Sequence, residues 1–251
     1  MFSMRKIVKT FLPVLGVLLF LPVQIMAKAE ILSSGENRVA LLELYSSEGC
    51  SSCPPADKWF ARLKSNKELW KSFVPIGFHV DYWNYLGWVD PFSQKKFTQR
   101  QRKLAHSWGS KRVYTPGFVK NGQEWRGTKQ LSFSKEKVGI LKAEPLGKNR
   151  YRVTFAPSQK QKVKKLSVHV VLMGHGLVSK VRAGENSGET LHHEFTVLAK
   201  NSKNLKNKNG HFQTEILLPT YKKLNVRQMS LAFWVSPQGE EAPIQAVGGY
   251  L

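Results

Sequence analysis

The chain has 251 residues, of which 41% are hydrophobic, so it is long enough for one large domain or two modest ones with packed cores. This composition excludes a protein that is disordered throughout its length. A formal net charge of +22 at pH 7 favours anionic surfaces or polymers as partners. Only two cysteines occur, Cys50 and Cys53, so a disulfide-stapled scaffold is excluded and the pair indicates local chemistry or a local clip.

The first 29 residues have the pattern of an export signal. A basic start precedes an apolar run over 11–26, and Ala27-Lys28-Ala29 forms a small-x-small cleavage box. We therefore predict a signal peptide over residues 1–29, cleaved after Ala29, and a periplasmic or secreted location. An uncleaved anchor is the alternative, but the run is shorter than the roughly 20 residues of a spanning helix. No span is predicted in the mature chain.

The next part of the chain carries the pattern of a β-α-β unit. Residues 39–45 and 73–80 are short apolar runs rich in β-branched or aromatic side chains, which is typical of buried strands. Between them, Pro54 and Pro55 suit the first turn of a helix, where their missing N–H groups cost nothing. The apolar positions of this helix extend to Trp70. The pattern predicts strand, helix and strand in that order.

Residues 81–92 are too aromatic for a solvated loop and too rich in Gly, Pro, Asn and Asp for a regular element. We expect them to fold back on the domain, where their aromatic rings pack or form a wall for a substrate peptide. A helix is predicted over 93–108, with Ser93 as its N-cap. Its outer basic face would consist of Lys95, Lys96, Arg100, Arg102 and Lys103. The Asn121-Gly122 dipeptide then favours a type I′ hairpin, and a last helix is expected over 128–142.

From about residue 145 the pattern changes to short strands separated by turn residues. Candidate strands lie at 150–155, 166–173, 189–198, 211–218, 229–235 and 244–249. This spacing favours an antiparallel sandwich. Residues 200–210 have almost nothing apolar and are interpreted as an exposed basic loop.

The Cys-x-x-Cys pair stands between a predicted strand and a predicted helix, and Thr115-Pro116 precedes a strand far downstream. This arrangement resembles the thioredoxin fold. A thiol at a helix N-terminus faces the positive end of the helix dipole, which favours the thiolate. We expect Cys50 to be the exposed, attacking thiol and Cys53 to resolve the mixed disulfide.

Four further residues belong to this predicted site. Ser51 and Ser52 can donate hydrogen bonds to the Cys50 thiolate. In thioredoxin-like proteins a cis-proline beside the cysteines presents backbone to an extended substrate, and Thr115 and Pro116 match that position. We therefore predict a cis Thr115-Pro116 bond and assign substrate binding to these two residues.

Two other interpretations of the cysteine pair stay open. In one the pair is a structural clip that holds the turn, and in the other it binds a metal. In the metal alternative, Cys50, Cys53 and His79 hold copper as Cu(I), which soft thiolates select. For His79 the simpler interpretation is a hydrogen-bonded histidine at a strand end. In the leading interpretation the protein has no metal and no cofactor.

Several polar residues have two interpretations each. Asp81 and Asp90 suit acid–base roles or turn and capping roles. Residues 184–188 form a turn, with room for a contact between domains. His192 and His193 point to opposite faces of a strand, so they do not readily share a metal.

A closer resemblance covers most of the mature chain. It rests on the segments 43–57, 79–83, 87–88, 90–92, 114–116, 121–122 and 184–188. These segments are similar to the exported bacterial family called domain of unknown function 1223. The resemblance implies a thioredoxin-like fold, export and a β-rich C-terminal part. The chain departs from thioredoxin itself, since Gly49 replaces a Trp and Leu44 stands at the offset of a buried acid, with Glu43 one residue earlier.

These observations predict an α/β fold with a thioredoxin-like N-terminal domain and a C-terminal antiparallel β-sandwich-like domain. The predicted boundaries are 30–144, including the aromatic and helical insertion, and 145–251. The predicted function is an exported thiol–disulfide oxidoreductase acting on envelope proteins with thiols or disulfides. Copper binding or delivery, or a noncatalytic envelope-binding module, is the alternative. An anionic envelope surface is a further expected partner, whereas nucleic acid is not expected, because the basic runs lack interleaved aromatic residues.

Overall fold

The computed structural model describes residues 30–126, 131–158, 164–221 and 226–251. The strands are β1 (Leu32–Ser33), β2 (Ala40–Ser46), β3 (Phe73–His79), β4 (Gly117–Lys120), β5 (Gln123–Glu124), β6 (Gly139–Gly147), β7 (Arg150–Pro157), β8 (Leu166–His175), β9 (Leu177–Lys180), β10 (Thr190–His193), β11 (Thr196–Asn204), β12 (Lys206–Lys208), β13 (His211–Leu217), β14 (Gln228–Pro237) and β15 (Gln245–Tyr250). The α-helices are α1 (Pro54–Ala61) and α2 (Lys95–Ser107), and short 3₁₀ helices cover Arg62–Ser65 and Asn84–Leu86. The predicted signal peptide, residues 1–29, lies outside the described residues.

An eight-stranded sheet forms the centre of the molecule, in the order β15-β14-β8-β11-β3-β2-β4-β5. The pairs β2·β3 and β3·β11 are parallel, and the other pairs in this sheet are antiparallel. A second sheet of five antiparallel strands has the order β1-β6-β7-β13-β12. Strands β9 and β10 form a separate antiparallel ribbon.

Both faces of the central sheet are buried. Along β14, Ala232 and Trp234 pack into the hydrophobic cluster that contains α1 and α2 side chains, whereas Leu231, Phe233 and Val235 pack against the second sheet. The alternation follows from the two-residue period of a strand. Because both faces are covered, the central strands are near-continuous apolar runs in the sequence.

The predicted fold class is wrong. Strands account for 45% of the protein and helices for only 13%, and the mostly antiparallel sheets do not form an α/β thioredoxin-like fold. The physical reason is that the far edge of β3 pairs with β11, which lies well beyond the predicted N-terminal domain. Strands from both sides of residue 144 therefore share one sheet.

Several local predictions are confirmed. Strands β2 and β3 are parallel neighbours connected through α1, as the β-α-β pattern indicates. In the hairpin between β4 and β5, Asn121 has φ 52° and Gly122 has φ 81°. Positive φ at both central positions is the requirement of a type I′ turn. The helix predicted at 93–108 is α2, although its N-cap is Gln94 rather than Ser93.

Other local predictions are wrong. Residues 131–138 contain no helix and β6 begins at Gly139, so the helix expected over 128–142 does not form in its described part; residues 127–130 lie outside the described residues. The basic segment 200–210 is not a loop, because β11 extends to Asn204 and β12 follows it. Neither α-helix in the described ranges is long and apolar enough to cross a membrane.

Helix α2 is fixed to the central sheet by a buried ion pair. Arg100 is only 3% exposed, so its predicted place on an outer basic face is wrong. Its guanidinium donates two hydrogen bonds of 2.8 Å to the Glu43 carboxylate and also pairs with Glu241. Tyr45 donates to the same Glu43 carboxylate at 2.8 Å. The pair therefore holds α2 over β2 and joins it to the turn before β15.

Candidate functional site

The two cysteines are joined in a disulfide at the turn between β2 and α1. Their Cα atoms lie 5.5 Å apart, and Cys53 occupies the N-cap position of α1. Pro54 and Pro55 fill the first helical positions, as predicted from their missing N–H groups. The Cys53 amide donates to the Cys50 carbonyl oxygen at 3.1 Å, which closes the turn. The sequence thus places a disulfide where a buried strand ends and a helix begins.

Cys50 is not exposed, so the prediction of an open outer thiol is wrong. Cys50 is 1% exposed and Cys53 is fully buried, whereas Ser51 and Ser52 between them are exposed. The Ser52 hydroxyl lies 3.3 Å from the Cys50 Sγ, as the predicted supporting contact requires.

A loop from the second half of the chain is hydrogen-bonded to the cysteine turn. We call residues 184–188 the clasp. Its Asn186 side chain is buried and donates to the carbonyl oxygens of Glu48 at 2.8 Å and Cys50 at 3.0 Å. Its Glu185 carboxylate accepts a 2.8 Å hydrogen bond from the Ser51 amide, which lowers the pKa of Glu185. The clasp therefore binds three backbone groups of the cysteine turn.

Trp83 links the cysteine turn to Thr115, which precedes Pro116 through a cis peptide bond. The Trp83 indole donates to the Thr115 hydroxyl at 2.7 Å. On the other side, a Cβ added at Gly49 would lie 2.9 Å from the Trp83 Cβ, so a larger residue at 49 does not fit. The aromatic segment therefore packs onto the domain. The substrate-binding role of Thr115 and Pro116 stays a prediction.

His79 forms a buried pair with Asp90 at the end of β3. Its Nδ1 lies 2.7 Å from the Asp90 carboxylate, and the two side chains are 3% and 0% exposed. Burial lowers the pKa of His79, but the charge of Asp90 and the hydrogen bond to it outweigh burial and raise the pKa to about 9. Burial raises the pKa of Asp90, yet His79 holds it below its ordinary value. His79 is therefore a hydrogen-bonded histidine at a strand end.

A second imidazole–carboxylate pair lies directly beside the first. His193 Nε2 is 3.0 Å from a Glu48 carboxylate oxygen, and the indole of Trp88 donates to the other oxygen at 2.7 Å. The rings of His193 and His79 are 4.8 Å apart and nearly perpendicular. His192 is exposed while His193 is buried, which confirms that the two neighbours point to opposite faces. The Glu48 amide donates to Asp90 at 2.9 Å, so both pairs form one network.

Asp57 completes the ionisable cluster. It lies one turn after Cys53 on α1, and its amide donates to the Cys53 carbonyl oxygen at 3.0 Å. Its carboxylate accepts a 3.0 Å hydrogen bond from Ser46, and burial raises its pKa. Asp57, Ser46, His79 and His193 line a cavity of about 10 Å³, which is room for about one water molecule.

Sequence reasoning missed Asp57, Glu48 and His193 as members of the site. For Asp57 a signal was present, because the spacing of four from Cys53 places both on the same side of a helix. For Glu48 and His193 the only signal was their polarity near a turn and a strand end.

Metal binding by the predicted copper ligands Cys50, Cys53 and His79 is not tested by this geometry. The cysteines are in a disulfide, and His79 Nδ1 is bonded to Asp90. Across the four described ranges, no group of three or more His, Cys, Asp and Glu side chains is arranged to hold a metal ion. The copper alternative stays a prediction.

Two solved structures resemble this fold. A crystal structure of a protein from Agrobacterium tumefaciens has a TM-score of 0.58 and 20% sequence identity, and the match covers 86% of this chain and 95% of that chain. The protein HBP35 of Porphyromonas gingivalis has a TM-score of 0.57 and 16% identity, with 87% of this chain and 76% of that chain covered. At these identities the likeness concerns the fold alone. No curated protein matches the chain.

The family model described as "Protein of unknown function (DUF1223)" matches residues 41–236. The match includes the cysteine turn, the aromatic segment and the clasp, and it extends from β2 into β14. The chain therefore belongs to the DUF1223 family.

Proposed function

We propose that this protein is an exported thiol–disulfide oxidoreductase that uses Cys50 and Cys53 on envelope proteins with thiols or disulfides. The observation that carries the proposal is the position of the disulfide, at the junction of a buried strand and a helix and next to buried ionisable side chains. A purely structural clip over a loop this short removes little entropy from the unfolded chain, so it offers little stability in return.

The proposed exchange has two steps. A substrate thiolate attacks the Cys50 sulfur, the bond between Cys50 and Cys53 breaks, and a mixed disulfide forms while Cys53 leaves as a thiolate. A second substrate thiolate then attacks the substrate sulfur of that mixed disulfide and releases the Cys50 thiolate. Two electrons pass from the substrate dithiol to the cysteine pair, and the two substrate protons go to the two new thiolates. The reverse order reduces a substrate disulfide.

The buried ionisable side chains beside the disulfide are suited to protonate Cys53 when it leaves as a thiolate. Cys53 is fully buried, and a thiolate without a partner there is costly. Pro54 and Pro55 have no N–H groups to offer it, so the first turn of α1 stabilises the thiolate less than most helix starts do. Asp57, whose pKa is raised by burial, is one turn away on the same helix. We assign to Asp57 the role of donating a proton to the Cys53 thiolate when it leaves and of taking that proton back in the reverse reaction.

Cys50 is buried, so we propose that the clasp controls access to it. Asn186 and Glu185 hold the backbone of the cysteine turn, and Cys50 is almost completely covered. We propose that breaking these hydrogen bonds lets the turn open for a substrate to reach the sulfur, which would make the clasp a determinant of the exchange rate.

The test combines the purified protein and the cell. The Cys50–Cys53 pair of the metal-free mature protein is titrated in thiol redox buffers, and its exchange with a model disulfide peptide is followed. In cells, Cys53→Ala is expected to accumulate mixed disulfides through Cys50 that disappear with reductant. Cys50→Ala is the matched control and should form none.

The same experiment separates this function from its rivals. If Cys53→Ala forms no adducts and the wild-type protein exchanges with no model peptide, the oxidoreductase proposal is wrong. Stoichiometric Cu(I) binding that is lost in His79→Ala would then favour the copper alternative.

Export belongs to the proposal because this chemistry needs a compartment in which the disulfide persists. Its support is the sequence pattern of residues 1–29, with the cleavage box at 27–29. N-terminal sequencing of protein from the envelope fraction is expected to begin at Glu30. Recovery of the intact Met1 end in the inner membrane would instead indicate a tethered protein.

An anionic envelope surface is the second proposed partner. Its support is the net charge of +22, which is still +18 without the four basic residues of 1–29, and the exposed lysines of the consecutive strands β11 and β12, namely Lys203, Lys206 and Lys208. Binding to vesicles with anionic lipids should weaken as salt rises, because surface charges are screened within about 10 Å at 0.1 M salt. Equal binding to neutral vesicles would contradict this partner.

A further inference from the structure

The cavity of about 10 Å³ beside α1 has polar side chains from three different elements around it. Asp57 of α1, His79 of β3 and His193 of β10 are among its lining residues. This volume is the lower end of the space that one water molecule needs, and a buried water also needs two to four polar partners. The hydrogen-bonding capacity of these three side chains therefore decides whether the cavity is a water site.

His193 has one ring nitrogen without a partner. Its Nε2 lies 3.0 Å from a Glu48 carboxylate oxygen, and a carboxylate only accepts, so Nε2 carries a proton. Its Nδ1 is buried, and no atom of the described ranges forms a hydrogen bond with it. Leaving a buried polar atom unpaired is costly, and a bound water removes that cost. Because Glu48 does not line the cavity, Nδ1 is the ring nitrogen that can bond a water there.

Asp57 and His79 supply two further partners for a water. The Ser46 hydroxyl bonds one carboxylate oxygen of Asp57 at 3.0 Å, so the second oxygen can bond a water. His79 is bonded to Asp90 through Nδ1, and its pKa of about 9 keeps the ring protonated at neutral pH. Its Nε2 therefore has an N–H group to donate. Three partners match the usual number of hydrogen bonds of a buried water.

We propose that a water molecule in this cavity joins His193 to Asp57, and that His193 is the positioning residue that resupplies Asp57 with the proton it gives to Cys53. This inference rests on the proposed oxidoreductase function and extends it from the reacting sulfurs to their proton supply. The groups that face His193 are Glu48 from the cysteine turn, Asp57 from α1, and His79 with its partner Asp90.

Three linked transfers make up the relay. When Asp57 gives its proton to the Cys53 thiolate, the water gives a proton to Asp57 and takes one from the protonated Nδ1 of His193. The Glu48 carboxylate stabilises the imidazolium form of His193 before the transfer. One of the two substrate protons then restores His193, so the proton balance of the exchange is unchanged. The reverse reaction uses the same atoms in the opposite order.

The water is tested by a crystal structure of the purified oxidised protein at a resolution that shows ordered waters. We expect one water within hydrogen-bond distance of both His193 Nδ1 and a carboxylate oxygen of Asp57. A cavity that holds no water overturns the relay. This measurement does not depend on redox activity, so it is separate from the test of the proposed function.

Exchange kinetics with the model disulfide peptide test the role of His193. His193→Gln keeps an N–H group for Glu48 but removes Nδ1, and we expect exchange to slow at least about tenfold in both directions. The equilibrium constant of the exchange should stay that of the wild type, because a proton relay speeds both directions equally, whereas damage to one redox state shifts it. His192→Gln changes the exposed neighbour on the opposite face and should leave both rates unchanged.

A double variant shows whether His193 and Asp57 act in one path. Asp57→Asn should slow the exchange, and adding His193→Gln should have no further effect, because the path is already broken. Effects that multiply in the double variant overturn the relay. A wild-type rate in His193→Gln also overturns it but leaves the oxidoreductase proposal standing, whereas a wild-type protein without any exchange contradicts both.

Discussion

The side-chain amide of Asn186 donates a 3.0 Å hydrogen bond to the carbonyl oxygen of Cys50, across 136 positions of the chain. The same amide donates to Glu48 at 2.8 Å, so one buried side chain satisfies two carbonyl groups of the cysteine turn. Asn186 is 6% exposed, and the covered Cys50 is 1% exposed. This contact joins the clasp to the backbone on both sides of Gly49, directly beside the disulfide.

Asn186→Ala is therefore expected to expose the disulfide to reductant. Loss of the two hydrogen bonds leaves both carbonyl groups without this partner. This destabilises the closed state, in which the clasp binds the cysteine turn, by about 1–3 kcal/mol relative to an open state. A loss of 1.4 kcal/mol, roughly the lower end, corresponds to about tenfold more of the open form. The measurement is the rate at which a small thiol reduces the Cys50–Cys53 bond in the folded protein.

Asn201→Ala serves as the control for this prediction. Asn201 also donates from its side chain to a backbone carbonyl, that of Leu217, but it is exposed and lies on β11. Its replacement should leave the reduction rate unchanged. An unchanged rate in Asn186→Ala as well would mean that the clasp does not limit access.

The His79–Asp90 pair predicts that stability depends on pH. The folded pKa of His79 is raised to about 9 from an ordinary value of 6.5, so its contribution is complete below about pH 6.5 and is lost as pH rises through 9. The pKa of Asp90 is lowered, so its contribution is present above the ordinary carboxyl value and is lost as pH falls. Stability due to the pair should be greatest between about pH 4 and pH 6.5.

Denaturant unfolding between pH 6 and pH 10 checks this dependence. The wild-type protein should lose on the order of 3 kcal/mol across this range through His79, whereas Asp90→Asn should show a much shallower slope. His106→Gln, which alters an exposed histidine of α2, is the control and should keep the wild-type slope. A steep slope that persists in Asp90→Asn would show that another group carries the pH dependence.

The sequence predicted the cysteine turn and its neighbours well because these features depend on local rules. The adjacent prolines identify the start of α1, and the Asn121-Gly122 dipeptide specifies the hairpin through its positive φ angles. The parallel pairing of β2 and β3 follows from the strand-helix-strand order.

The global fold and the full site were not predictable in the same way, because they depend on contacts between distant parts of the chain. The apolar run of β3 indicates burial on both faces but does not reveal that β11 pairs with its far edge. Arg100 lies among other basic residues of α2, and only the position of Glu43 in the folded protein makes it a buried cation. The sequence marks residues 184–188 as a turn with room for a contact between domains, but it does not show that Asn186 binds the carbonyl oxygen of Cys50.

Arg100→Met tests how much the buried Arg100–Glu43 ion pair contributes to the free energy of unfolding. Removing the guanidinium leaves the Glu43 carboxylate buried and uncompensated, and breaking a buried pair in this way costs about 3–5 kcal/mol. Chemical unfolding should therefore show a strongly destabilised variant. Arg126→Met removes an exposed arginine that pairs with Glu124, and we expect no measurable change. Similar stability of the two variants would mean that α2 is held by its apolar contacts alone.

Gly49→Ala tests whether the cysteine turn and the aromatic segment are in contact. The new Cβ would lie 2.9 Å from the Trp83 Cβ and 3.3 Å from the Trp83 carbonyl oxygen, so one of the two segments has to shift. Overpacking of this kind costs about 1–3 kcal/mol. A shift of Trp83 also strains its hydrogen bond to Thr115, so tryptophan fluorescence should change together with the free energy of unfolding. Gly35→Ala is the matched control, because a Cβ there meets no atom of the described residues within 4 Å. If both variants are equally stable and fluoresce alike, Trp83 does not pack against the cysteine turn, and it does not connect that turn to Thr115.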